Sequence, residues 1–436
     1  MDKDIYSPKS VNIHPDGSKF YVNSLEGGST VVYEMGTWKK LKTIHHRFGA
    51  AHKALWAPPS GLFSFTHYSE DSLNLNAFMG KPVESAFSHG GRYLWVPYYR
   101  RSYDINAQDP SALAVIDTRT DSIIRLMETG PLPKMIVCSH KGNHIAVTHW
   151  GDNTVAIIDA SSDNPKEWHY EKLYIIDHQL ELNFSLTTPI DRDKHSGYLL
   201  RGTVFTPDDH YLLVGCMGGP GGIGVIDLQK KEYLGRVTGM RSNTRHLLIQ
   251  NGWLYLSSNN AGVIQRIRLD QFLTVLPQME NHLVTLNGWE ECKVMPGART
   301  IGASPSGNFI FAACNSASRL CVVDTRTMQL IASAEVDSYP VGLDISADGT
   351  TLITTSQGRN HAGGNAVDVF QINYLYPEKA DTLQQQDTMT MAQQKAQKEK
   401  RRTPIKGIWY ILGIIIIAGL GAMVTVKLHH KITQKK

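Results

Sequence analysis

Six basic residues return at one register of this chain. Lys9, Lys53, Lys134, Arg201 and Arg299 each lie eight residues ahead of the closing residue of a turn, and Arg245 lies seven ahead of a shorter one. Val83 and Val341 hold the same register in two further units. Arginine presents a fork of N–H donors that matches carboxylate and phosphate oxygens, while lysine supplies a compact point charge. If the units carrying these residues surround one axis, the cations form a ring at one mouth of a central channel. Such a ring repels itself unless an anion or water neutralises it, so the chemistry it suggests is recognition of an anionic ligand or partner. Basic residues at solvated loop ends, each turned outward, satisfy the same spacing.

Loops expected on the same face carry aromatic and Arg side chains, the types that anchor interfaces. They include Tyr98-Tyr99-Arg100-Arg101-Ser102-Tyr103-Asp104 and His149-Trp150-Gly151-Asp152-Asn153. Tyr and Trp also cap the apolar ends of strands, so a packing role fits them as well. Of the 18 histidines, His45, His46 and His52 cluster near the expected mouth. No H-E-x-x-H or paired-cysteine motif supports zinc, and no G-x-S-x-G elbow supports a hydrolase. The stretch Gly218-Gly219-Pro220-Gly221-Gly222 lacks the Lys-Ser/Thr and the helix of a P-loop and is expected to be a hairpin tip. The cysteines are Cys138, Cys216, Cys292, Cys314 and Cys321, an odd number. Cys314 and Cys321 flank one hairpin, either as a disulfide or, the favoured expectation, as small buried residues.

Positioning a ring of cations requires a repeated element, and the chain has one. An apolar run, a tight turn and a second apolar run recur eight times, with turns such as His14-Pro15-Asp16-Gly17, Ser304-Pro305-Ser306-Gly307 and Ala347-Asp348-Gly349. A third run ends in an acidic residue, as in Val155-Ala156-Ile157-Ile158-Asp159 and Val322-Val323-Asp324, and a weaker fourth often follows. A β-rich unit of about 40 to 50 residues is a propeller blade, and blades stack until the ring closes. The turns are spaced 44, 30, 51, 67, 43, 55 and 42 residues apart. The 30-residue interval is too short for four strands. Either one blade has lost a strand, or residues 50–80 are an insertion in a seven-bladed ring, so seven or eight blades both fit. The 67-residue interval holds an insertion, roughly Glu167 to Tyr198, expected as a loop or lid at the rim.

The array ends near residue 373, and 374–406 is a Gln- and Lys-rich stretch expected to be a solvated stalk. Residues 407–426 carry no charge and bring Trp409 and Tyr410 to one edge. Twenty residues at about 1.5 Å each span roughly 30 Å, the thickness of a bilayer core, so a transmembrane helix is expected there. A short basic tail, 427–436, follows. Lys395, Lys398, Lys400, Arg401, Arg402 and Lys406 lie upstream and Lys427, Lys431, Lys435 and Lys436 downstream, which leans toward a cytoplasmic propeller. The start agrees, because Met1-Asp2-Lys3-Asp4 leads into the first unit with no apolar leader. A net charge of +4 is too small for bulk charge to argue for nucleic acid, and no nucleic-acid partner is expected.

These units resemble the YVTN β-propeller repeat family, whose pattern runs P-x-x-V-x-x-S-P-D-G, then Y-V-T-N, then V-x-V-I-D-T. Ser346-Ala347-Asp348-Gly349, Phe20-Tyr21-Val22-Asn23 and Ala114-Val115-Ile116-Asp117-Thr118 match it. The resemblance implies an all-β propeller of four-stranded antiparallel blades; the truncated second unit and the C-terminal transmembrane helix expected at 407–426 depart from the family pattern. Most members are exported, which implies an extracytoplasmic propeller and opposes the charge count. The expected function is a membrane-anchored binding or scaffolding module, with no cofactor called for. Its expected ligand-binding residues are Lys9, Lys53, Lys134, Arg201, Arg245, Arg299, Tyr98, Tyr99, Arg100, Arg101 and Trp150. The family implies one alternative, an enzyme or cofactor carrier, lactonase-like or haem-binding as in nitrite-reductase-type propellers.

Overall fold

Seven antiparallel sheets, each with a four-strand core, succeed one another along the chain. In this computed structural model the described residues are 2–63, 77–180, 191–359, 363–374 and 424–433. Blade one runs Pro8–Ile13, Lys19–Ser24, Ser29–Glu34 and Lys40–His45. Its alternating Phe20, Val22, Val31 and Tyr33 face the last blade, while Tyr21 and Val32 face the next. Both faces of the second and third strands are therefore buried between neighbouring blades, as a closed ring of sheets requires, while outer strands such as Lys40–His45 stay largely exposed. At six of the seven seams the first strand packs on the first strand of its neighbour around the axis, and blades one and two meet there through Asn12 and Ser85.

The eighth turn is not a blade. The Trp56–Gly61 segment belongs to an insertion that opens with a 3₁₀ turn, Ala50–Leu55, and runs along the outer strand of blade two, where Ala57 N donates to Leu126 O at 2.7 Å. Blade two then divides its inner position between Phe78–Pro82 and Ala86–Ser88, both paired with Tyr93–Arg101. The ring accordingly has seven blades, and the eight-bladed alternative is set aside. The long interval after blade three contains that blade's outer strand, His169–Ile175, before the chain returns as residues 191–199. Blade five makes the other excursion, a short helix Leu269–Thr274 and a strand Leu283–Thr285 that adds in parallel to blade four.

Blade seven comprises Pro340–Ile345, Thr351–Ser356, Ala366–Tyr374 and Val424–Thr433. Its fourth strand takes the last three residues of the expected span and most of the expected tail. The stalk beyond Tyr374 and the span up to residue 423 lie outside the described residues. Among the described residues no helix is long and apolar enough to cross a membrane. Among the described residues no strand is shared across the closure. Blades seven and one are joined instead by side chains, with Asp344 accepting from Ile13 N at 2.7 Å and Thr355 Oγ1 donating to Lys9 O at 2.9 Å. The five cysteines are free thiols, and the Sγ atoms of Cys314 and Cys321 lie 3.7 Å apart in the core.

Candidate functional site at the channel mouth

Every inner strand is irregular at the same place. In blades one, three, four, five, six and seven the register shifts directly after the first cross-strand pair, at Pro8, Pro133, Leu200, Thr244, Ala298 and Pro340. The next residue in each case is Lys9, Lys134, Arg201, Arg245, Arg299 and Val341, and Val83 follows Pro82 in blade two. A bulge frees one residue from the ladder and re-aims its side chain. Here it aims five cations from five blades into one space, where each acts electrostatically on others across the axis. Lys53 is not among them, because it stands exposed on the 3₁₀ turn at the outside of blade two. Its place in the register was a coincidence of spacing within an insertion.

The five are unequally neutralised. Lys134 Nζ meets Asp193 Oδ1 at 2.9 Å and lies 4.0 Å from the centre of the Tyr99 ring and 4.7 Å from that of Trp150. Arg201 Nη2 meets Glu84 Oε1 at 2.7 Å, and its Nη1 donates to Lys134 O at 3.0 Å. Among the described residues Lys9 Nζ meets only the amide oxygen of Gln357, at 3.2 Å. Arg245 Nη1 faces Met217 Sδ at 3.3 Å, a weak acceptor, and its Nε is buried without a partner. Arg299 is 2% exposed, and its Nε and Nη2 meet no hydrogen-bond acceptor. Burial pushes Lys134 down to about 7, with Arg201 and Arg245 adding to the effect and Asp193 opposing it. Burial, then Arg299 and Arg201, drive Lys9 well below the usual lysine range, while Arg245 and Arg299 are lowered in the same way. Guanidinium groups remain charged in proteins, so the two arginines are the permanent charges of the unneutralised arc.

The rim has a register of its own, set by the residue after the one that pairs with Pro82, Pro133, Leu200, Thr244, Ala298 or Pro340. Blades two, three and four place Tyr99, Trp150 and Met217 there, and these pack with Leu132 and Leu199. Blades five, six and seven place Asn259, Asn315 and Gln357. Residues 191–199 roof the apolar arc. Arg192 N donates to Asn106 O at 3.0 Å, Tyr198 N to Asn153 Oδ1 at 3.1 Å, and Asp193 reaches Lys134. The remaining arc, over blades five, six, seven and one, is where Arg245, Arg299 and Lys9 stand.

Two residues expected at the rim are core residues. Tyr98 is fully buried with its hydroxyl 3.0 Å from His46 Nδ1, and Arg101 is 1% exposed, bonded to Tyr103 Oη at 2.9 Å and Ser111 O at 3.1 Å. A bulge explains the division: between the Pro82–Tyr98 and Gly80–Arg101 pairs, Tyr99 and Arg100 together oppose Lys81, which breaks the alternation, while Tyr98 faces the neighbouring blade. Arg100 is half-buried, stacks over the Tyr99 ring with 4.4 Å between its guanidinium carbon and the ring centre, and donates to Tyr99 Oη and Ile105 O. His46, bonded to Thr30 and Tyr98, is held neutral by burial and is structural. Glu84 and Asp193 are the residues that sequence reasoning missed. Glu84 directly follows Val83, so an acid beside the exception in the register was the available signal. Asp193 lies in an insertion that no repeat register reaches.

Below the mouth the channel holds a cavity of about 270 Å³. Ser10, Asn12, Ser85 and Thr300 line it with hydroxyls and amides, beside apolar Val11, Leu248 and Ile301. His246 borders it with its Nδ1 buried and unpartnered, and burial together with Arg201 and Arg299 pushes its imidazole down to about 3. Among the described residues no group of three or more His, Cys, Asp or Glu could hold a metal ion.

No protein-family model and no curated protein matches the chain, so the YVTN resemblance stands on its residues alone. Solved structures do match. A Kuenenia stuttgartiensis hydrazine synthase chain aligns at 13% identity and a TM-score of 0.58, over 85% of this chain and 97% of that one. The Cps50 (Swd1) β-propeller domain of Myceliophteria thermophila aligns at 11% identity and a TM-score of 0.55, over 83% and 96%. At such identities the likeness concerns the propeller fold alone.

Proposed function

We propose that this protein is a membrane-tethered propeller that binds an anionic ligand or partner at the open arc of its channel mouth. The observation that carries this reading is Arg299, a guanidinium buried to 2% exposure with two nitrogens, Nε and Nη2, that meet no acceptor among the described residues. An unpaired buried charge costs several kcal/mol, roughly, and an anion that joins it removes that cost. Lys9 and Arg245 stand on the same arc without a carboxylate of their own. The cavity of about 270 Å³ is small, which suits a compact anion or one charged group of a larger partner.

The test replaces Lys9, Arg245 and Arg299 with Ala, singly and together. Each single change is expected to weaken anion binding by roughly tenfold or more, and wild-type affinity is expected to fall steeply with salt. Lys53→Ala, at the outer edge of blade two, is expected to change nothing. A triple variant that folds and binds as wild type would reject the site. A purified protein that is coloured would replace this reading with that of a cofactor carrier.

A further inference from the structure

One carboxylate stands at the centre of the mouth. Glu84, from blade two, crosses to Arg201 of blade four at 2.7 Å, and its charge also acts on Lys9, Arg245 and Arg299 of blades one, five and six. Asp193 differs, because it arrives from the roof and pairs with Lys134, with Arg100 acting on it as well. Glu84 thus faces four cations drawn from four blades, while the second carboxylate lining the cavity, Asp344, is held by Ile13 N. We propose that Glu84 is a built-in counter-ion, which an incoming ligand displaces from Arg201, and that it restricts the mouth to compact multivalent oxyanions of the phosphoryl or polycarboxylate kind. This rests on the mouth being an anion site.

The selectivity follows from charge balance. A monovalent anion that entered would exchange one negative charge for another and gain little over the carboxylate already present. An anion carrying two or more charges gains more from Lys9, Arg201, Arg245 and Arg299 than the displaced Glu84 loses. Shape points the same way. The unpartnered atoms of Arg299, Nε and Nη2, form one edge of the guanidinium, which matches two oxygens of a single phosphate or carboxylate side-on. Of the hydroxyls below it, Ser85 and Thr300 already donate to Asn12 and Val341, whereas Ser10 accepts from Asn23 and has its own proton for a further oxygen of the same ligand.

The experiment is calorimetric titration of the full chain, in a mild detergent, with pyrophosphate, citrate and acetate at fixed ionic strength. The wild-type protein is expected to bind pyrophosphate or citrate and to ignore acetate, and the stronger of the two identifies the phosphoryl or polycarboxylate source. Glu84→Gln is expected to tighten binding of the multivalent anion at least about tenfold and to make acetate binding measurable. Glu84→Asp keeps the charge, which guards against a folding defect, and is expected to fall between the two. Glu84 variants that melt like wild type and bind no more tightly would overturn the counter-ion, as would wild-type acetate binding equal to that of pyrophosphate. Loss of binding in Arg299→Ala with no gain in Glu84→Gln would sink the counter-ion and leave the mouth standing. Silence from every anion in every variant would sink both.

Discussion

Lys134 is held between two aromatic faces and one carboxylate, yet burial still brings its ammonium down to about 7. In the unfolded chain the same group keeps its proton to about 10.4. Between those values the unfolded state binds more protons than the native one, so native stability rises with pH across that window. Lys9 is shifted in the same direction and adds to the rise. Asp109 has the opposite sign. Its carboxyl is buried without a partner beside Asp104 and pushed up to about 7, so it contributes stability at acid pH that is lost as pH climbs toward neutrality. The two groups therefore act in adjoining windows. Urea unfolding is expected to give a higher free energy at pH 9 than at pH 7, and Lys134→Met is expected to remove part of that increment. An increment of the same size in the variant would show that Lys134 is not its source. None of this was legible in the sequence, where Lys134 is one basic residue among 44 and its shift depends on rings and charges from other blades.

The inner strands converge on the axis, and convergence leaves no room for side chains where neighbouring backbones meet. A Cβ on Gly342 would lie 2.5 Å from Thr355 Oγ1 and 2.6 Å from Lys9 O, at the seam that closes blade seven on blade one. A Cβ on Gly202 would lie 2.7 Å from the Cα of His246, at the seam between blades four and five. Gly342→Ala must therefore move either the Thr355 bridge or the bulge that carries Lys9. It is expected to cost about 1–3 kcal/mol in denaturant melts. Gly49→Ala, where a Cβ meets nothing within 4 Å, is expected to be neutral and serves as the control. Equal stability of the two variants would mean that the seam adjusts freely. The blades themselves were legible because their turns are local chemistry. Gly17, Gly142, Gly307 and Gly349 all have positive φ, and Asp227 and Asp324 accept from the backbone two residues on. The bulges were visible only as a register of basic residues, and that register misled once, at Lys53. A spacing of 30 residues signals a disrupted blade but does not decide between a lost strand and the insertion at residues 50–80 that the seven-bladed ring contains.

At the scale of the whole molecule, charge and closure meet in the C-terminal segment. Tyr374 pairs with Val424, so both ends of the stretch between them meet at the outer edge of blade seven. A helix that crosses a bilayer once carries its two ends to opposite faces, roughly 30 Å apart. Residues 407–426 reach that length only with Val424, Thr425 and Val426, the residues that begin the fourth strand of blade seven. A single crossing and that strand exclude each other in one molecule. The proposed tether therefore requires the strand to leave blade seven on insertion, exposing the edge of Ala366–Tyr374. In vesicles, the full chain is expected to resist alkaline extraction, with tags placed after Met1 and after Lys436 on opposite sides. Backbone amides of Ala366–Tyr374 are expected to exchange faster there than in a chain kept out of membranes. Both tags on one side, with that edge still protected, would keep Val424–Thr433 on the propeller and remove the single-span tether.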